Sequence, residues 1–258
     1  MCLEKTEYVQ LEIIDRIAVV GLKRVDKKNC LNVDMRIKIG EIFEKLSENE
    51  EVKAVLIHGC GSNFCAGGDI NEMKLIKSSY EAQALSQIEQ NVFYRIQTCK
   101  KPVIAAIDGI CFGAGFDLAL SCDFRFITPN TKMGFPEIKL GIVVGGGGVN
   151  KLVRHVGLTL AKELLFTGRT MNAEELEEKN IVNKIVGDPY SYSIRYIKKY
   201  LFESSTNSIG EYKKVLHNTD ISYSQMFSEC NAIGECFKHY NREEGINAFI
   251  EKRKPRFV

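Results

Sequence analysis

Residues 102–148, PVIAAIDGICFGAGFDLALSCDFRFITPNTKMGFPEIKLGIVVGGGG, form the stretch that decides the fold. Within it, 103–107 is an apolar run typical of a buried strand, and 113–115 (Gly-Ala-Gly) open a segment with helical apolar spacing. A strand that feeds a helix through glycine leaves the first helical N–H groups without partners, at the positive end of the helix dipole. The junction is therefore suited to stabilise an oxyanion.

Two carboxylates follow this junction, Asp117 one turn into the helix and Glu137 after Phe135-Pro136. The alternative explanation is a buried strand–helix unit whose glycines only permit close packing. A second glycine turn favours the functional interpretation, because 52–58 reads as another buried strand and ends in GCGSNFCAGGDI at 59–70. Two strand ends that each present a backbone N–H are the minimum for a two-donor oxyanion hole.

The chain resembles the enoyl-CoA hydratase/isomerase (crotonase) superfamily from about residue 8 to residue 258. The resemblance rests on four segments in order: FCAGGDI at 64–70, GAGFDLA at 113–119, FPEIKLG at 135–141 and AFIEKRK at 248–254. It implies an α/β fold, a crotonase-like spiral of repeated ββα units with a C-terminal helical module. We expect 1–188 to form the core that carries the active site. We expect 189–258 to serve oligomerisation and closure of the CoA pocket.

The resemblance also implies catalytic roles. Gly68 and Ala114 match the two oxyanion-hole donors, and Glu137 matches the glutamate that exchanges a proton at Cα. Asp117 falls where hydratases carry a second glutamate, and its side chain is one methylene shorter. A displacement of about 1 Å can reduce a rate by about 100-fold. Aspartate here also resembles dienoyl-CoA isomerases, but their further aspartate is replaced by Gly145 in this chain.

Contacts with the substrate are implied at eight further positions: Lys23, Arg24, Ala66, Asp69, Ile70, Met73, Phe249 and Lys252. The basic residues at 23 and 24 would line the nucleotide end of coenzyme A, or belong to a solvated charge run. Met73, with Leu75 and Ile76, would contact the acyl tail or belong to the core. Lys252 would reach the CoA phosphates of a neighbouring subunit, or complement the C-terminus of its own helix.

Composition excludes several other classes of protein. The 35 basic and 33 acidic residues give a net charge of +2, which argues against a nucleic-acid partner. The 9 cysteines form no C-x-x-C pair and read as reduced cytoplasmic thiols, and the four histidines lack metal-ligand spacing. The glycine run 145–148 is not followed directly by a Lys-Ser or Lys-Thr pair, so it is not a nucleotide-binding phosphate loop. The sequence contains no long uncharged apolar run of the kind that predicts a membrane-spanning segment.

Periodicity predicts a helix over 71–98 with an inward stripe of Ile88, Val92, Phe93, Tyr94 and Ile96, a strand at 181–186, and almost only helices after 190. Apolar residues on these last helices are expected to pack between subunits of a homotrimer or a dimer of trimers; they are Tyr212, Val215, Phe227 and Ile233.

The leading hypothesis is a hydratase-like lyase that adds water to a 2-enoyl-CoA thioester through a Glu/Asp acid–base pair. It would need no metal or redox cofactor, since coenzyme A is part of the substrate. A Δ3,Δ2-enoyl-CoA or dienoyl-CoA isomerase is the first alternative. The other alternative is an inactive crotonase-fold protein that binds acyl-CoA.

Overall fold

The computed structural model describes residues 8–218, 223–238 and 240–256, apart from the side chains at 217, 218 and 223–229. Its strands are β1 Val9–Ile14, β2 Ile17–Leu22, β3 Ala54–Gly59, β4 Val103–Ile107, β5 Ile110–Phe112, β6 Phe124–Ile127, β7 Lys132–Gly134 and β8 Lys184–Ile185. Six of them form a sheet in the order β1-β2-β3-β4-β6-β8, parallel except for the β1–β2 hairpin. Strands β5 and β7 form a separate parallel pair.

The helices follow the strands and then fill the C-terminal part. They are α1 Val33–Glu48, α2 Ile70–Leu75, α3 Ser79–Thr98, α4 Ala114–Leu120, α5 Gly148–Thr167, α6 Ala173–Glu178, α7 Pro189–Tyr196, α8 Thr206–Asn218, α9 Tyr223–Phe237 and α10 Tyr240–Ile250. Gly157 kinks α5 with a φ of 73°. Polar side chains cap several N-termini by accepting a backbone N–H, at Asn32, Asp69, Ser78, Asn172 and Asp188.

Both faces of the six-stranded sheet are covered, as expected of a sheet that is parallel over most of its width. The larger core lies on one face and includes α1, whose Ile39 and Phe43 are fully buried. On the other face the tyrosines of α7 pack against the sheet, with Tyr192 and Tyr196 in ring contact with Phe126. Helix α7 thus completes the core, while the predicted division at residue 188 stays a prediction.

The α/β class is confirmed, and two details of the sequence interpretation are wrong. Tyr94 does not belong to the inward stripe, because it is 52% exposed. The strand predicted at 181–186 is only two residues long. The N–H groups of Ile181 and Val182 both donate to the carbonyl of Leu176 and close the turn after α6, so they cannot join the sheet.

Among the described residues, no helix combines the length and the apolar character that crossing a bilayer requires. The same part of the chain contains no group of three side chains placed to hold a metal ion.

Candidate active site

The two glycine turns meet at the ends of β3 and β4. Cys65 forms a bridge with β5, in which its N–H donates to Ile110 at 3.1 Å and its carbonyl accepts from Phe112 at 3.0 Å. Leu31 holds the other side of the same turn, with its N–H bonded to the Gly67 carbonyl at 2.8 Å. Main-chain hydrogen bonds on both sides therefore fix the turn without using a side chain.

The two turns touch at Gly113 and Gly67. Gly113 requires glycine because its φ is 54°, and a Cβ on it would be in van der Waals contact with the Cα of Gly67, at 3.7 Å. This contact brings together the next residues, Gly68 and Ala114, which are the two predicted donors. In the part of the chain that the structure describes, neither of their N–H groups has a protein acceptor. Ala114 is the first residue of α4, so its N–H is aligned with the positive end of that helix.

Glu137 begins a short 3-10 turn after Pro136 and extends under Gly113. A Cβ on Gly113 would lie 2.8 Å from Oε1 of this glutamate, so the glycine makes room for the carboxylate. The other oxygen, Oε2, is buried and has no hydrogen-bond partner among the described residues. Burial, together with the nearby charges of Glu89 and Asp117, raises the pKa of Glu137 to about 8. The carboxyl is therefore protonated at neutral pH.

Asp117 is fully buried in α4 and is ion-paired with Lys151 of α5 through Oδ1. Lys151 also donates to the carbonyl of Gly146 at 3.2 Å. Burial raises the pKa of the aspartate, and the Lys151 ammonium and the nearby N–H of Gly148 oppose that rise. The other oxygen, Oδ2, has no partner in the described chain, and a Cβ on Gly146 would lie only 2.5 Å from it. The glycine run 145–148 thus provides space beside this oxygen.

A second buried ion pair was missed by the sequence interpretation. Arg36 of α1 is 1% exposed, and its Nε lies 3.6 Å from Oε1 of Glu89 on α3. A signal was present in the spacing, because Glu89 precedes Val92 and Phe93 by three and four residues and so shares their inward face. A charged residue on an apolar stripe indicates a buried charge.

The charges of this cluster explain why Glu137 is protonated. Two cations, Arg36 and Lys151, lie against two carboxylates, Glu89 and Asp117. Glu137 is the remaining carboxylate and forms no ion pair with any described residue. Since an uncompensated buried charge is costly, the cluster favours a neutral acid at this position.

The other predicted substrate contacts lie in two places. Around the first turn, Arg24 is ion-paired with Asp69 at 2.6 Å, and the Met73 methyl lies 2.6 Å from where a Cβ on Gly68 would be. Lys23 is exposed, Ala66 is half-buried, and Ile70 begins α2. On α10, Phe249 is 59% exposed, and Lys252 is exposed in the following turn. Within the described chain, neither bonds to the glycine turns or the carboxylates.

Helix α10 nevertheless supports the site through its backbone. A Cβ on Gly141, just after the Glu137 turn, would lie 2.4 Å from the carbonyl oxygen of Asn241, and one on Gly245 would lie 2.4 Å from the Leu140 carbonyl. The C-terminal helix is therefore in close backbone contact with the segment that carries Glu137.

Two backbone N–H groups without acceptors among the described residues, beside a buried carboxylate cluster, are the arrangement that stabilisation of an enolate requires. The model of the enoyl-CoA hydratase/isomerase family matches residues 12–258, and the chain belongs to this family.

The relatives agree over nearly whole chains. The chain is 35% identical to the crotonyl-CoA hydratase of Syntrophomonas wolfei, covering 98% of each protein. It is 34% identical to the short-chain-enoyl-CoA hydratase of Clostridium acetobutylicum, covering 95% of each. Among solved structures, an enoyl-CoA hydratase from Bacillus anthracis has a TM-score of 0.78 at 26% identity, covering 96% of this chain and 98% of that one. An enoyl-CoA hydratase/isomerase from Mycobacterium paratuberculosis shares the fold, with a TM-score of 0.88 at 24% identity and coverage of 95% and 99%.

Proposed function

We propose that this protein adds water across the 2,3 double bond of a 2-enoyl-CoA thioester. The observation that carries the proposal is the unpartnered Oδ2 of Asp117, buried beside the glycine run in the same charge cluster as Glu137. Hydration needs a second carboxylate oxygen to hold the attacking water, in addition to the group that protonates Cα. The hydratase relatives support the same reaction.

The chemistry follows from the positions of the donors. The thioester carbonyl would accept from the N–H groups of Gly68 and Ala114, and each such donor is worth roughly 3 kcal/mol in the transition state. Glu137 is protonated at neutral pH because its pKa is about 8, so it can deliver a proton to Cα. Asp117 would hold the water that attacks Cβ. Hydration in this direction should therefore slow as the pH rises through about 8 and Glu137 ionises.

We propose that the protein uses no redox group, because hydration is redox-neutral, and no metal, because the two backbone N–H groups would polarise the thioester carbonyl. Coenzyme A enters as part of the substrate. Its nucleotide end would lie along the exposed Lys23 and the Arg24–Asp69 pair. Lys252 would contact the phosphates from a neighbouring subunit.

A second candidate is isomerisation of a 3-enoyl-CoA, in which Glu137 alone moves one proton. The ion pair between Asp117 and Lys151 favours it, because it engages the second carboxylate and leaves Glu137 as the one acid–base group without a cation among the described residues. Glu137 must be ionised to take the first proton, so isomerisation, unlike hydration, should speed up as the pH rises through about 8.

A panel of acyl-CoA substrates tests these proposals. Hydration of crotonyl-CoA appears as loss of the enoyl-thioester ultraviolet absorbance, whereas isomerisation of a 3-enoyl-CoA appears as its gain. We expect hydration of crotonyl-CoA to be faster than isomerisation of the 3-enoyl-CoA. Binding without either change would contradict both candidate reactions.

We further propose assembly as a homotrimer or a dimer of trimers. Tyr212 and Val215 on α8 are 70% and 63% exposed, and such an apolar face is suited to burial between subunits. Ile233 instead packs within the chain, and the side chain of Phe227 lies outside the described residues. Analytical ultracentrifugation at micromolar concentration should give the trimer mass or twice that mass, and a monodisperse monomer would contradict the proposal. The described cysteines are all unbridged, which fits the cytoplasm.

A further inference from the structure

Arg36 and Glu89 lie beside the candidate active site in an incompletely satisfied ion pair. Arg36 donates through Nη1 to the Leu31 carbonyl at 2.8 Å, and this anchors the guanidinium close to the first glycine turn. Its Nη2 lies 3.1 Å from where a Cβ on Gly68 would be. The separation of 3.6 Å between Nε and the Glu89 carboxylate is too long for a hydrogen bond.

Four buried polar atoms of this cluster have no hydrogen-bond partner within the described chain: Arg36 Nε, Glu89 Oε1, Asp117 Oδ2 and Glu137 Oε2. Buried polar atoms in folded proteins are normally satisfied, by protein or by ordered water. Three of these atoms are carboxylate oxygens and one is a donor. A water molecule, with two O–H groups and a free acceptor, matches two such oxygens and one such donor.

The position of Glu89 on α3 directs it toward Asp117. One turn earlier, the Ser86 hydroxyl donates to the first carbonyl of the glycine run 145–148 at 2.7 Å. One turn later, Phe93 lies 2.8 Å from where a Cβ on Gly146 would be, and Asp117 Oδ2 lies 2.5 Å from that same point. Glu89 therefore lies on the strip of α3 that faces the glycine run and Asp117.

We propose that Glu89 is a third carboxylate of the reaction centre, which holds the attacking water together with Asp117 and takes its proton, and that Arg36 positions Glu89. The proposal rests on the hydratase function proposed above. Lys151 donates directly to Asp117 and so reduces its basicity, whereas the looser contact with Arg36 leaves Glu89 the better proton acceptor.

The step balances without a further reactant. The water oxygen bonds to Cβ while its proton moves to Glu89, and the electron pair of the double bond moves toward the thioester carbonyl. Cα then takes the proton of Glu137. A proton passes from Glu89 back to Glu137 through solvent, which resets the site for the next turnover.

The test compares two reactions that share Glu137 but differ in their need for water. Hydration of crotonyl-CoA needs both the water and the Cα proton. Exchange of the Cα protons of butyryl-CoA in D2O needs only Glu137 and the two oxyanion donors. For Glu89→Gln we expect kcat of hydration to fall by about 100-fold or more, as for loss of a general base, while exchange stays within about fivefold of the parent.

A double variant and a control keep the test decisive if Glu89→Gln leaves Arg36 unpaired and the fold suffers. In Arg36→Met/Glu89→Gln no buried charge is left unpaired, so a folded protein is expected, with the same loss of hydration and the same retained exchange. Glu72→Gln is the matched control. It removes the charge of the other carboxylate near Arg36, at 3.8 Å, and should hydrate like the parent.

Two results would overturn the proposal, and a third would refute the hydratase function on which it rests. Parental hydration in the double variant would mean that the pair only stabilises the fold. Equal loss of hydration and exchange in a folded variant would mean that Glu89 supports the whole site and not the water. A parent protein that exchanges Cα protons but hydrates nothing would instead refute the proposed function itself.

Discussion

Replacing Glu137 by glutamine should stabilise the protein, and increasingly so as the pH rises. The pKa of this carboxyl is about 8 in the folded state against 4.5 ordinarily. Between these values the folded state binds more protons than the unfolded state, so this group makes stability fall with rising pH. Glutamine has no ionisation to suppress. The coupling of folding to proton binding, at 1.36 kcal/mol for each tenfold change in proton affinity, gives the expected gain in the free energy of unfolding of Glu137→Gln over the parent. This gain is roughly 1 kcal/mol near pH 5 and roughly 4 kcal/mol near pH 8.

The difference of roughly 3 kcal/mol between the two pH values corresponds to about 6–12 °C in Tm for a chain of this length. Scanning calorimetry of parent and Glu137→Gln across this pH range measures it, with the assembly state checked at each pH. The comparison is internal, because any fixed change in packing or hydrogen bonding shifts Tm equally at all pH values. If the difference in Tm between the variant and the parent stayed constant from pH 5 to pH 8, this would refute the conclusion that Glu137 is a buried carboxyl without a compensating charge. The same variant should also lose proton exchange at Cα.

Substitutions at three further positions, Asp117, Gly146 and Ala114, test the site. Asp117→Asn should reduce hydration by about 100-fold and spare Cα exchange. Asp117→Asn/Lys151→Met should do the same without an unpaired ammonium, and unchanged hydration in both would exclude a role for the aspartate. Gly146→Ala would place a Cβ 2.5 Å from Asp117 Oδ2 and should lose roughly 1–3 kcal/mol of stability together with activity. Gly187→Ala, with no atom within 4 Å of the new methyl, should match the parent in both. Ala114→Val should reduce turnover by about 100-fold or more with little change in Tm, whereas a lowered Tm with intact activity would indicate that residue 114 only packs.

The sequence predicted the strand ends and the glycine turns because both depend on local patterns. The apolar run before Gly113 and the turn at 59–70 can be read directly, and the resemblance to a family added candidate roles for Glu137 and Asp117. Which charges oppose these carboxylates could not be read, since α1, α3 and α5 converge only in the folded chain. Lys151, four residues after Gly147, looks like an ordinary helix residue until its burial against Asp117 is seen.

The glycine run shows the same limit. Its composition invites a phosphate loop, and the absence of a following lysine and hydroxyl residue excludes that interpretation. Sequence alone offered no replacement. In the fold, a Cβ on Gly146 would lie 2.5 Å from Asp117 Oδ2 and one on Gly148 would lie 2.6 Å from the Phe135 ring, while Gly147 has a φ of 93°. Glycine is therefore needed here because of side chains that are distant in sequence, Phe93 and Asp117, and no local pattern reveals them.

The interlocked turns at 65–68 and 110–114 have a consequence for amide hydrogen exchange. Their flanking N–H groups are bonded to main-chain carbonyls and should exchange slowly, but those of Gly68 and Ala114 are not. These two amides can therefore act as spectroscopic reporters set within a protected region. Their exchange would slow when a carbonyl occupies the space between them, so occupancy of the site could be followed with a thioester that never reacts.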